Sequence, residues 1–216
     1  MFFQYPKRDA LIITVLFFAF LAVVFSLPGA IRSIQAQNAR AAHGVVEVQL
    51  SPDERSSIEK EIVAIHNAIQ RGNGAEGQSL AQQYGTLGEL YEKLGYLLKA
   101  KEAYGKGTKQ DLRNADIRLR TARVLIRMKD YAGAKKVFED ALIAEPYNWK
   151  SYDAYAQLYA TTLNNPEEAR GIYLKGLVAT ANQVDLMRSY AAFLESHGVL
   201  SEAQDYRQEI LKRDGK

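Results

Sequence analysis

Arg120, Arg123 and Arg127 fall at i, i+3 and i+7, a spacing that puts three guanidinium groups on one face of a helix. A row of this kind suits the reading of anions, because each guanidinium presents a planar fork of donors to a carboxylate or phosphate. The row sits in a basic region. From Lys93 to Lys136 there are 13 lysines and arginines against 4 acidic residues, whereas from Val137 to Glu209 there are 5 against 11. A face for nucleic acid should be basic throughout, so this polarity disfavours nucleic acid and favours a protein segment, acidic where it meets the arginines.

Residues suited to catalysis are scattered. His43, His66 and His197 are far apart in the chain, which suggests neither a metal site nor the base of a nucleophile, and cysteine is absent. Gly72-Asn73-Gly74-Ala75-Glu76-Gly77 spells a dinucleotide-binding glycine pattern, but it follows a helix where that fingerprint needs a strand. Gly105-Lys106-Gly107-Thr108 lacks an upstream glycine loop and reads as a helix interior with small packing residues. No enzyme activity, catalytic residue, metal or cofactor is expected.

The elements that must carry the arginines follow a repeat. Ala100 with Tyr104, Ala134 with Phe138, Ala169 with Tyr173, and Ala203 with Tyr206 recur at a spacing near 34 residues. Alignment on these alanines brings Tyr84, Leu87, Gly88 and Tyr91 into register with Thr121, Ala122 and Leu125. Tyr152, Tyr155, Ala156 and Tyr159 follow in the same register, and then Tyr190, Ala191 and Leu194. Gly107, Ala141 and Gly176 add a small residue beyond the first three aromatics. Small residues on one face let helices approach closely, and the aromatics fill the space between layers. The expected fold class is all-α, an α-α superhelix of about four helical hairpins.

From about Ala81 to Lys212 the chain resembles the tetratricopeptide repeat family. Tyr84, Leu87, Gly88 and Tyr91 match its first-helix signature, and Ala134, Phe138, Ala141 and Pro146 its second. There are departures: Arg118 stands where the family has an aromatic, Leu112 replaces the closing proline of the first repeat, and one extra residue lies near Asn164 and Asn165. In the last repeat Arg207 follows Tyr206, which suits a polar terminal cap. The third and fourth hairpins also resemble the half-a-tetratricopeptide variant of RNA-processing scaffolds, through Trp149 to Tyr155, Glu168 to Tyr173 and Tyr190 to Glu195.

The resemblance implies that the first helix of each hairpin lines the inner curve. On that basis the partner-binding residues are Tyr91, Arg120, Arg123, Arg127, Gln157 and Tyr159. Internal pairing of the arginines with Glu89, Glu92 and Asp153 is the competing reading. The family's dicarboxylate clamp for chaperone tails is disfavoured, since its positions hold Gly85, Glu89 and Arg123.

Ala10 to Leu27 runs without a charge, and continued through Ile31 it makes a helix roughly 33 Å long, enough for a hydrocarbon core of roughly 30 Å. The 13 Leu, Ile, Val and Phe residues between Ala10 and Leu27 favour insertion by about 4 to 8 kcal/mol. A cleaved signal peptide is the alternative, against which the run is long and Leu27-Pro28 follows the nearest small-residue pair, Val24 and Ser26. Lys7 and Arg8 precede the span, so the positive-inside tendency puts the repeats on the extracytoplasmic side, periplasmic in a bacterium.

The expected organisation is a tail at 1–9, a transmembrane anchor at 10–31, a tether at 32–50, an amphipathic helix at 51–71 and repeats at 78–213. Ser51, Pro52 and Glu54 form a capping-box start for the amphipathic helix, and Ile58, Ile62, Ile65 and Ile69 mark one face of it. That helix has three open fates: capping the solenoid, pairing with its twin, or docking on a membrane neighbour. The functional expectation is a membrane-tethered scaffold that holds a peptide or helix of a protein partner. An RNA-associated scaffold and a self-assembling structural component, as a homo-oligomer, are the alternatives.

Overall fold

A computed structural model describes residues 44–72 and 79–215. The expected tail at 1–9 and span at 10–31 lie outside them, as does most of the tether. Chain contacts divide the protein into residues 1–46 and 47–216, and the nine described α-helices all belong to the second unit. Among the described residues no helix is long and apolar enough to cross a membrane.

Helix α1 covers Pro52–Gln70. Four hairpins follow: α2 Leu80–Lys93 with α3 Leu97–Gln110, α4 Ala115–Arg127 with α5 Tyr131–Ala144, α6 Trp149–Gln157 with α7 Pro166–Ala179, and α8 Val184–Ser196 with α9 Leu200–Asp214. Side-chain caps start most of them. Ser51 and Glu54 bond reciprocally, as do Ser79 and Gln82, while Asn114, Asp130, Asn148 and Asn165 each accept from a backbone N–H of the first turn. The capping bond from the Ser51 N–H holds the Glu54 carboxyl below its ordinary range.

The marker residues form the interior of the stack. Ala100, Ala134 and Ala169 are fully buried, and Tyr104, Phe138 and Tyr173 lie beside them in the core. Gly88 shows why size matters: a Cβ there would sit 2.4 Å from the Tyr104 ring. At Gly176 the same atom would meet Tyr152 at 2.6 Å. The last repeat places Tyr206 edge-on to Tyr190, with centroids 5.1 Å apart, while Arg207 turns outward to Glu195 at 2.6 Å.

Of the three fates open to α1, the structure displays packing on the first hairpin. Ile62 and Ile65 are buried against Leu87, Leu90, Leu94 and Ala103, with Ile58 and Ile69 at the margin. The first hairpin is thereby covered by a helix from outside the repeats.

Two departures from the repeat pattern turn out to be one interaction. Arg118 donates through Nη2 to the carbonyl of Leu112, tying the start of α4 to the preceding loop. One repeat later the Tyr152 hydroxyl donates to the Pro146 carbonyl at 3.1 Å, from the equivalent position to the equivalent acceptor. Different side chains therefore fasten the same joint.

Each hairpin turn passes through a residue of positive φ at one equivalent place: Gly95 at 78°, Lys129 at 61°, Asn164 at 49° and Gly198 at 77°. The reversal is closed by a bond back to the first helix, from Tyr96 N–H to Tyr91 O at 2.8 Å, Asp130 to Leu125 at 2.8 Å and Val199 to Leu194 at 2.9 Å. In the third hairpin the bond spans one residue more, from Asn165 N–H to Tyr159 O at 2.9 Å. A π-turn over Leu158–Thr162 takes up that extra residue.

Lys129 carries a side chain where two sister turns use glycine, and its left-handed backbone costs about 1 to 2 kcal/mol. Lys129→Gly should relieve this, less the extra unfolded-state entropy of glycine, for a net gain of about 0.5 to 1 kcal/mol. Denaturant unfolding of residues 51–216 measures it, and a loss of stability would mean that the Lys129 side chain supplies more than the turn geometry indicates.

Candidate functional site

Helices α4 and α6, the first helices of two consecutive hairpins, wall a groove of about 550 Å³. Leu119, Ile126, Trp149 and Ala154 give it apolar surface, and Arg120, Arg123, Lys150, Asp153 and Gln157 supply polar groups. Thr161 and Thr162 of the π-turn complete the far end. The Thr161 hydroxyl donates to the Gln157 carbonyl at 2.7 Å, which fixes the side chain against its own turn.

The three arginines separate by partner. Arg120 pairs with Glu89 at 3.1 Å, and Arg127 with Glu92 at 3.3 Å, both across to α2. Glu92 also accepts the Tyr104 hydroxyl at 3.2 Å. Burial, and then the Glu92 charge, push the Tyr104 phenol well above its ordinary range, so it stays a donor. Arg123 is exposed and has no ion pair or hydrogen bond among the described residues.

Asp153 is committed elsewhere. Its Oδ1 accepts the Tyr173 hydroxyl at 3.1 Å, and its Oδ2 accepts Gln157 Nε2 at 3.0 Å. Tyr173 is deeply buried, and that burial, reinforced by Asp153, raises its phenol far above the ordinary value. Internal pairing therefore accounts for Arg120 and Arg127, and among the described residues leaves Arg123 without a partner.

Of the six residues expected to contact a partner, Arg120, Arg123 and Gln157 line this groove together. Arg127 faces Glu92. Tyr91 lies under α1, where its hydroxyl meets His66 Nε2 at 3.1 Å and Lys99 sits 5.6 Å from its ring. Tyr159 packs on Tyr155 with centroids 5.4 Å apart, and Lys135 of α5 covers its ring at 5.8 Å. Leu119 and Ile126 escaped the sequence reading, although their spacing of four and three residues from Arg123 puts them on its face. Trp149, the single tryptophan, escaped it as a groove residue.

The other candidate chemistries resolve into structure. Gly72, at φ 66°, lies in the turn after α1, and the remainder of the glycine pattern lies outside the described residues. Gly107 is buried inside α3, and Lys106 pairs with Glu102 at 2.8 Å. His197 Nδ1 approaches the Phe193 carbonyl at 2.8 Å, while His43 lies outside the described residues. Among the described residues no group of three potential ligands could hold a metal.

Residues 81–114, which hold the first hairpin, match the tetratricopeptide repeat family model. A crystal structure of MamA is similar over 79% of this chain and 97% of that one, with 15% identity and a TM-score of 0.53. A second MamA crystal structure matches over 75% of this chain and 85% of that one, with 16% identity and a TM-score of 0.53. At this identity the likeness is one of fold, an all-α tetratricopeptide-like solenoid. No curated protein matches the chain.

The split among the arginines has a thermodynamic signature. Arg120→Glu sets a new carboxylate against Glu89, and with both side chains more than a third exposed the cost should be no more than about 1 kcal/mol. Arg123→Glu should leave stability within about 0.5 kcal/mol. Thermal melts of the two variants side by side test this, and equal losses would mean that Arg123 also has an internal partner.

Proposed function

We propose that the protein is a membrane-tethered interaction scaffold which holds a segment of a protein partner in the groove between α4 and α6. The observation that carries this reading is the Arg123 guanidinium on the groove's apolar wall, without an ion pair among the described residues, beside an Arg120 that is paired with Glu89. An exposed cation among Leu119, Ile126 and Trp149 offers an acidic, partly apolar segment both charge and buried area. In this reading residues 10–31 anchor the chain and the repeats face the extracytoplasmic side, where they serve assembly of a membrane complex or handling of exported clients. The family likeness of the first hairpin is consistent with binding rather than catalysis.

A photo-crosslinking side chain in place of Gln157, which lines the groove, should trap partner protein in native membranes. The same probe at Val178, 83% exposed on α7 and outside the groove, should not. Mass spectrometry of the adducts reads the outcome, and equal capture at both sites would remove the groove from the function.

Deletion of Met1 to Ala30 should move the folded repeats from the carbonate-washed membrane pellet to the supernatant, because each repeat is held by its neighbours. Continued pelleting of the truncated chain would place membrane attachment in the repeats.

A further inference from the structure

We propose that the α8–α9 end of the repeats is a self-association surface, on which a second copy of this chain packs its α9 antiparallel to the first about a two-fold axis between Gln204 and Arg207. A cleft of about 350 Å³ opens on this end, lined by Arg188, Ala191, Ala192, Arg207, Ile210 and Leu211. Both arginines are already paired within the chain, Arg188 with Asp185 and Asp214 and Arg207 with Glu195. The cleft therefore holds no uncommitted ion to select a charged ligand, and what it offers is apolar surface.

The repeat itself shows what this end does not accept. In two earlier hairpins the second helix receives the next hairpin on a bare glycine: a Cβ at Gly107 would meet Ile117 of α4 at 3.1 Å, and one at Gly176 would meet Leu186 of α8 at 2.9 Å. One repeat after Gly176 that place holds Ile210. Its side chain fills the socket, so a further hairpin cannot seat at the spacing of the stack. Leu211 is nevertheless 72% exposed, where its counterpart Leu177 is 2% exposed.

The pattern along α9 suits a helix that meets its own copy. Leu200, Gln204, Arg207 and Leu211, at i, i+4, i+7 and i+11, form one exposed stripe. From either end it runs apolar, polar, polar, apolar. A two-fold axis through its middle sets Leu200 against the partner's Leu211 and Gln204 against the partner's Arg207, and repeats both contacts. The Gln204 amide oxygen then accepts from that guanidinium, which has donors enough to keep Glu195 as well. Leu200, 65% exposed, comes to the mouth of the cleft beside Ala191 and Ala192. A parallel pair would instead set the two Arg207 guanidinium groups face to face.

The chain has no cysteine, so single substitutions report this contact cleanly. Full-length chains carrying Leu200→Cys and Leu211→Cys, with different tags, are co-expressed and oxidised in native membranes, and each is also expressed alone. The expected result is a disulfide-linked pair in the mixture at tenfold or more the yield of either chain alone, because the two copies of Leu200 lie about 16 Å apart along the helix in the antiparallel pair. Detergent-solubilised Leu211→Glu should have half the protein mass of the unsubstituted chain by sedimentation, with circular dichroism verifying that it is folded. Equal linkage in all three samples would mean a parallel or random contact, and no linkage would leave the cleft to a different protein. Either result would overturn the proposal, as would an unsubstituted chain of single mass or an undiminished mass in Leu211→Glu.

Discussion

Close approach of helices at small residues is the constraint on which the remaining structure depends. Gly88 lies against the Tyr104 ring with no room for a methyl group, and Ala100, Ala134 and Ala169 are fully enclosed at the matching contacts. An aromatic ring wedged against a bare backbone fixes distance and rotation together, since a larger residue would force the helices apart and a smaller ring would leave a void. Once each hairpin is set this way, the next can add only in one register. The inner helices then fall side by side, and α4 and α6 become the two walls of one groove.

The same constraint explains what could be read in the sequence. Buried contacts that repeat must use the same residue sizes each time, so the hairpins and their alanine and aromatic markers show as a period. The joint between hairpins does not. Arg118 and Leu112 look like two losses from the pattern, yet they supply the hydrogen bond that Tyr152 and Pro146 make one repeat later, because the acceptor is a backbone carbonyl available to any donor of sufficient reach. The packing of α1 was equally hidden: its isoleucine stripe declares an apolar face, but the surface that receives it, Leu87, Leu90, Leu94 and Ala103, lies on another hairpin.

The extra residue of the third repeat connects architecture to the site. An insertion in the turn itself would change the path into α7, whereas a π-turn widens the end of α6 and preserves the left-handed exit at Asn164. The residue count between Ala134 and Ala169 exposed the insertion, but its form depended on where the backbone could expand without leaving an orphan acceptor. The i→i+5 ladder meets that requirement, Thr161 adds a hydroxyl bond to the Gln157 carbonyl, and Thr161 and Thr162 join the groove lining.

Arginine spacing alone could not divide the row, because Arg120, Arg123 and Arg127 share a helix face and a residue type. The division follows from the offset between neighbouring inner helices. Glu89 and Glu92 are three residues apart on α2, so they meet cations at two levels of α4, and the levels they meet are those of Arg120 and Arg127. Asp153, the α6 carboxylate of the groove lining, is held by the Tyr173 hydroxyl and the Gln157 amide. Tyr173 is itself buried by the small-residue packing that builds the hairpin, so the contact that sets the helix spacing also holds an acid of the groove wall in place. The polar lining of the groove is therefore positioned in part by the core, and a core change that withdrew the Tyr173 hydroxyl would free Asp153 to reorient within that lining.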